Sequence, residues 1–286
     1  MQKMRIFDVI IIGGSHVGLS AGLVLGRSLR NVLVIDSAEP CNRLSEHVHS
    51  FLTQDGQSSA AILQKAKEQV LFYKTVSIFH DKAVQAKEQG NGFSVTVQSG
   101  AIFLSKKVIV ATGVKDYEVN GKSIGVLGNG EVGFERISLI QNWSTDITLF
   151  TNGKSLLTPE QEQYLTRKKI DIIEDEVKTI EHKEGKIKSL FLEGGKKFSL
   201  AALFAKVAFE QHSNIPLQMG CEQTEAGFFK ADEFGKTNVP GVFAAGETTT
   251  PFRTVVTAIN AGLKAGIAVN NELTEEDFCN TYQNSE

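Results

Sequence analysis

The residues of this chain best suited to chemistry are two glycine-rich turns and an acid. The first turn, Gly13-Gly14-Ser15-His16-Val17-Gly18, and the second, Gly128-Asn129-Gly130-Glu131-Val132-Gly133, each follow an apolar run and open a helical apolar pattern. A tight turn entering a helix aims unpaired backbone N–H groups and the positive end of the helix dipole at one point, which suits a dinucleotide pyrophosphate. Asp36, followed by Ser37, ends the apolar run Val32-Leu33-Val34-Ile35, where a carboxylate can accept hydrogen bonds from a ribose. The polar-aromatic run from Arg43 to Gly56 carries His47 and His49, side chains able to move protons near neutral pH. The three cysteines, Cys41, Cys221 and Cys279, form neither a CxxC nor a metal-ligand spacing, so no disulfide framework and no metal site is expected.

These groups must be positioned by strands and helices. Phe7 to Ile12 reads as a buried parallel strand and Leu19 to Leu25 as the helix after it, with a second strand at Val32 to Ile35. A helix is expected over Ala60 to Tyr73, then a hairpin through Phe93, Val95, Val97, Ile102 and Leu104. A separate strand over Lys107 to Ala111 ends in Ala111-Thr112-Gly113, a small-residue stop that lets backbone approach a ligand. The second unit runs from about Ser123 to Phe204: strand, glycine turn, a helix from about Val132 to Trp143, a strand at Ile147 to Phe150, a helix from Pro159 to Lys168 and a hairpin around Gly185. Thr237 to Glu247 then returns as a strand, with a helix-like run through Ala261 and Ala268. The fold class is α/β: two Rossmann-like nucleotide-binding domains, the second (117–204) inserted into the first (1–116 and 205–286).

With 30 basic and 33 acidic residues the net charge is −3, which gives no electrostatic case for a nucleic-acid or anionic-membrane partner. No apolar run approaches the roughly 20 residues needed to span a bilayer, and a cytoplasmic protein is expected.

In order, GGSHVG with Asp36, Ala111-Thr112-Gly113, GNGEVG, and TNVPGVFAAGE followed by Pro251-Phe252-Arg253-Thr254-Val255 resemble the low-molecular-weight thioredoxin reductases, FAD-dependent pyridine nucleotide-disulfide oxidoreductases. The branch that includes the fungal flavin dithiol oxidases is the most similar. The resemblance implies FAD on Gly13, Gly14, Ser15, His16 and Gly18 at the pyrophosphate, Asp36 at the adenosine ribose and the Val84 backbone near the adenine. Gly246-Glu247 match a Gly-Asp that contacts the ribityl chain, and Arg253, Thr254 and Val255 match the helix start facing the flavin pyrimidine. Asn42, Arg43, His47, His49 and Thr53 match the segment beside the isoalloxazine. Ser15 stands where the family has a glycine and Glu247 where it has the shorter Asp.

Two departures shape the functional expectation. After the second turn, thioredoxin reductases carry a His-Arg-Arg set that grips the NADPH 2′-phosphate; this chain has Thr151-Asn152-Gly153, so NAD(P)H use is implied by the turn alone. Only 14 residues separate Gly113 from Gly128, where the family places the CxxC that relays electrons from flavin to a disulfide. Without a thiolate and a resolving thiol, that exchange does not turn over. The expected function is an FAD-dependent oxidoreductase passing electrons between flavin and a directly docking donor or acceptor, a small molecule or small redox protein. Cys41, His47 and His49 are the catalytic candidates, and by family analogy the protein is a homodimer. Two alternatives stand beside it: a dithiol enzyme whose cysteine segment is deleted or absent from this sequence, and a non-catalytic flavin-binding protein.

Overall fold

A computed structural model describes residues 6–39, 47–115, 123–142, 144–183, 186–205 and 209–283. The chain forms two compact units, Met1–Asp116 with Phe209–Glu286, and Tyr117–Ala208.

In the first unit, β1 (Ile6–Ile12), α1 (His16–Arg27) and β2 (Val32–Asp36) form the opening strand-turn-helix-strand. Next come α2 (Ser59–Leu71), β3 (Val76–His80), β4 (Ala83–Gln89), β5 (Gly92–Val97), β6 (Ile102–Val110) and β7 (Val114–Lys115). The second unit contributes β8 (Ile124–Leu127), α3 (Gly130–Ile140), β9 (Ile147–Phe150), α4 (Pro159–Arg167), β10 (Asp171–Ile173), β11 (Val177–Lys183), β12 (Lys186–Leu192), β13 (Lys197–Ser199) and β14 (Ala202–Ala205). The chain then returns with β15 (Glu210–Gln211), α5 (Ile215–Gln218), β16 (Val242–Ala244) and α6 (Val255–Gln283).

The main sheet of the first unit runs β3-β2-β1-β6 in parallel. The first half of β6 pairs antiparallel with β5, and its second half pairs parallel with β16. Ile102–Leu104 is the hairpin arm expected opposite β5, but it continues through Lys107 to Val110 as one strand, with no break before a separate strand. Both faces of β1 are buried: Val9 and Ile11 pack with Val17, Leu25 and Val269, while Ile10 and Ile12 pack with Phe93, Val95 and Phe229. That is why the run is continuously apolar rather than alternating.

Lys107 interrupts the β6 hydrophobic pattern and yet is only 8% exposed. Its ammonium meets Glu272 at 3.1 Å and Glu276 at 2.5 Å, both on α6, and Lys236 reaches Glu272 at 2.9 Å. Burial alone would pull the Lys107 pKa down, but the hydrogen bonds its ammonium donates to Glu276 and Glu272 reverse this and hold it above the usual lysine range. Lys107→Met leaves the two glutamates facing an uncharged side chain. A loss of about 2 kcal/mol, read from urea denaturation, is expected.

In the second unit, β10-β9-β8-β14 form a parallel sheet, with α3 crossing from β8 to β9. β11, β12 and β13 form a separate antiparallel sheet. Pro159 sits at the first turn of α4, and Thr158 and Gln161 form a capping box there, so this helix starts where its sequence dictates. Among the described residues no helix is long and apolar enough to cross a membrane.

Candidate functional site

The first glycine turn folds as a close-packed cradle. Gly13 has φ +113, and a Cβ there would overlap the Ala111 carbonyl oxygen. A Cβ on Gly14 would lie 2.5 Å from Asp36 Cγ, and one on Gly18 would overlap the Gly13 carbonyl. The turn, the Asp36 side chain at the end of β2 and the backbone of the stop after β6 thus meet with no room for a side chain on Gly13, Gly14 or Gly18. Ser15 is extended (φ −92, ψ −164), a conformation open to any residue, so its departure from glycine carries no backbone strain. The amino terminus of α1 has no acid in its first turn, leaving the dipole unopposed.

This cradle floors a cleft within the first unit. Gly13 to Val17, Asp36, Ser37, Ala111 to Gly113, Glu247 and Arg253 to Val255 all line it. Gly18 and Gly246 stand behind these residues: Gly246 (φ +80) lets the chain pass Val17, whose Cγ2 would lie 2.5 Å from a Cβ. Thr254 Oγ1 accepts the Thr257 N–H at 3.1 Å and so caps α6, whose amino terminus opens into the cleft. Arg253 lies 5.5 Å from the centroid of the Phe209 ring.

Two atoms test whether a polar ligand fits. His16 Nε2 and Thr112 Oγ1 are buried without a hydrogen-bond partner, and both residues line the cleft. Buried polar atoms are ordinarily paired, so a ligand with donors and acceptors suits them. Burial lowers the His16 pKa, keeping the ring neutral.

Asp36 is buried, accepts the Ala38 N–H at 3.1 Å and pairs with Lys67 Nζ at 3.1 Å. Lys67, on α2, holds the carboxylate in place. Sequence reasoning missed this partner, along with Glu39, Asp81, Lys82, Ala83, His212 and Ser213, which also line the cleft. The Asp81–Ala83 group follows β3, whose His80 stands in register with Asp36; assigning β3 would have placed it.

Other expected positions fall elsewhere. Val84 is 44% exposed and is not among the residues lining the cleft, whereas its neighbours Asp81 to Ala83 are. His47, His49 and Thr53 belong to a loop closed on itself. There Val48 exchanges backbone hydrogen bonds with Gly56 and Gln57, His47 Nδ1 lies 3.1 Å from the Gly56 carbonyl, and His49 lies 3.8 Å from Asp55. The histidine rings are 6.5 Å apart, and Thr53 lines a second cavity instead. Cys41, Asn42 and Arg43 lie outside the described residues, as does most of the crossing after Lys115. Cys221 is buried, and burial pushes its thiol up, away from thiolate reactivity.

The second turn is built differently. Asn129 Oδ1 accepts the N–H groups of Gly130 (2.8 Å) and Leu156 (2.7 Å), and its amide donates to the Lys154 carbonyl at 2.8 Å. The loop through Leu156 is thereby fixed against the turn, and Gly130 adopts the left-handed φ +53, where a Cβ would meet Leu156 only at ordinary contact distances from 3.4 Å. Glu131 places a negative charge in the first turn of α3, bonded to Gln161 at 2.7 Å. Val132 is 43% exposed, and Gly133 packs on the Gly128 carbonyl, 2.8 Å from where a Cβ would lie. After β9, Thr151 bonds to the Gly153 and Ile173 carbonyls and Asn152 accepts the Val177 N–H, so neither supplies a charged grip for a ribose or phosphate.

Comparison with known proteins agrees with this architecture. Residues 114–262 match the family profile described as pyridine nucleotide-disulphide oxidoreductase. Thioredoxin reductase sirT of Leptosphaeria maculans is 28% identical across 96% of each chain. That alignment spans 319 positions against the 286 residues here, so the relative has residues this chain lacks. Among solved structures, HlmI superposes with TM-score 0.86 at 26% identity, covering 99% of this chain and 98% of its own. A putative thioredoxin reductase TrxB from Bacillus anthracis gives 0.84 at 26%, covering 95% and 99%.

Proposed function

This chain belongs to the pyridine nucleotide-disulphide oxidoreductase family, and from that premise we propose that it is an FAD-dependent, thioredoxin reductase-like oxidoreductase in which electrons pass directly between flavin and a docking partner. One observation supports the reading: the first glycine turn packs tightly against Asp36 and the Ala111 carbonyl at the opening of α1, in a chain with no CxxC. Bound FAD would supply hydride and one-electron chemistry. The chain's own residues would bind and orient it. The N–H groups of Gly14 to His16 meet the pyrophosphate, Asp36 with Lys67 holds the adenosine ribose, and the amino terminus of α6 at Thr254 and Val255 stabilises negative charge on the pyrimidine side. Neutral His16 is placed to donate or accept one hydrogen bond. The partner is a nicotinamide nucleotide, oxygen, a quinone or a small redox protein, and the family suggests a cytoplasmic homodimer.

The visible spectrum of the purified protein is expected to show bound flavin, and anaerobic mixing with NADH or NADPH to bleach it at rates useful for turnover. Replacing all three cysteines by serine is expected to leave bleaching unchanged. Flavin that neither nucleotide nor a reduced small redox protein bleaches would leave only a flavin-binding role; loss of bleaching in the serine variant would restore a thiol relay. A further expected result concerns the ribose end. Asp36→Ala should weaken FAD about tenfold, close to one charged hydrogen-bond partner lost, as measured by equilibrium dialysis.

A further inference from the structure

We propose that Phe209, which stands outside the cleft lining, is a positioning residue for the cleft: stacked on Phe228, its ring holds the Arg253 guanidinium where the negative charge of a bound dinucleotide is met, a role that rests on the flavin reading above. All three residues belong to the first unit, and Phe209 is the residue at which the chain re-enters it. Arg253 is one of the residues that line the cleft, and its guanidinium carbon lies 5.5 Å from the centroid of the Phe209 ring, within the range of a cation–π contact.

The ring pair has a fixed base. The planes of Phe209 and Phe228 are 28° apart with centroids at 4.4 Å, an offset-stacking distance. Phe228 closes a tight turn, its carbonyl accepting the Thr224 N–H at 2.8 Å and its N–H donating to Thr224 Oγ1 at 3.2 Å. The Gln211 side-chain amide ties that turn to the residue after Glu247, donating to the Gly227 carbonyl at 2.9 Å and the Thr248 carbonyl at 3.0 Å. On the other side Gln211 pairs with Val114, and the His212 N–H donates to the Gly113 carbonyl at 3.2 Å. Both Glu247 and Gly113 line the cleft, so the aromatic platform is pinned to backbone beside it. Arg253 is exposed, and a long exposed side chain loses rotamer freedom when it meets an anion. A planar guanidinium already resting on a ring loses less, which is the service Phe209 provides.

The test is a double-mutant cycle on the full chain freed of flavin, with FAD affinity measured by equilibrium dialysis at low and high salt and the flavin midpoint potential measured on the reloaded protein. Phe209→Leu is expected to weaken FAD about fourfold and Arg253→Gln about tenfold, each with a shallower salt dependence than the unaltered chain. Phe209→Leu should add nothing once Arg253 is glutamine, and Phe209→Tyr, which keeps the ring, should stay within a factor of about two. The two redox states separate the sources of negative charge. If the guanidinium meets the phosphates, both states weaken alike and the potential holds; if it meets the ring, the reduced state weakens about fourfold more, a shift of about 18 mV for a two-electron couple. A Phe209→Leu loss that persists without Arg253, an equal loss in Phe209→Tyr, or no change in affinity or potential would overturn the proposal. Phe209→Met replaces the leucine variant should that one not fold. An unaltered chain that takes up no FAD would sink the flavin reading together with this one, whereas bound FAD with Phe209 and Arg253 uncoupled would sink this one alone.

Discussion

Gly13→Ala is expected to purify with little or no flavin and to lose about 2–4 kcal/mol of stability. Two costs coincide at this position. The backbone has φ +113, which an L side chain rarely adopts, and the new Cβ would overlap the Ala111 carbonyl oxygen with Thr112 N at 3.2 Å. Relief requires moving either the turn or the Ala111-Thr112-Gly113 stop, and both line the cleft. The ligand would therefore lose its cradle even if the sheet survived. Gly90→Ala separates the two costs: its φ is +61, with nothing within 4 Å of the added atom. That variant should pay only the left-handed backbone penalty, about 1 kcal/mol, and keep its flavin. Flavin-to-protein absorbance and thermal melting of both variants are the measurements. A Gly13→Ala protein with full flavin and a wild-type melting temperature would show that the close approach is not required.

The parts of this fold legible in the sequence are those where a local rule and the tertiary environment agree. Val9–Ile12 of β1 and Val32–Ile35 of β2 are apolar throughout because both faces are covered, and the first glycine turn needs its glycines for contacts with Asp36 and Ala111 that belong to the motif itself. β9 and α4 carry their own boundaries, the latter in Thr158, Pro159 and Gln161. β4 was not legible, since Ala83–Gln89 buries only Ala86 and shows no apolar alternation. β6 reads as two pieces because Lys106 and Lys107 break it, whereas Lys107 is neutralised by Glu272 and Glu276 from the far end of the chain. The same limit applies to the site. Asp36 is visible at a strand end, but Lys67 beside it and the Asp81–Ala83 group depend on where α2 and β3 land. His16 reads as a turn residue, and only its surroundings show a buried ring with an unpartnered nitrogen.

Gly262→Val is expected to be the most damaging substitution remote from the cleft lining, at about 3 kcal/mol, and to weaken flavin binding as well. α1 and α6 pack through small residues, with Gly262 facing the Val17 carbonyl, Gly266 facing Ala21, and Ser20 Oγ donating to the Ile259 carbonyl at 2.7 Å. A Cβ on Gly262 would overlap the Val17 carbonyl oxygen and lie 3.0 Å from Ser20 Cβ. The obstacle is helix backbone, which cannot swing aside as a side chain can, so the helices must separate. Separation would shift the amino terminus of α6, carrying Thr254 and Val255 away from the cleft they line. Gly266→Ala provides the graded comparison. Its Cβ would sit 3.1 Å from the Ala21 carbonyl oxygen and 3.2 Å from Val24 Cβ, tight but within reach of small adjustments. It should cost about 1 kcal/mol and retain flavin. Denaturant melts and FAD titrations of the two variants test the coupling: if Gly262→Val destabilised the fold without weakening FAD, the amino terminus of α6 would not be part of the flavin site.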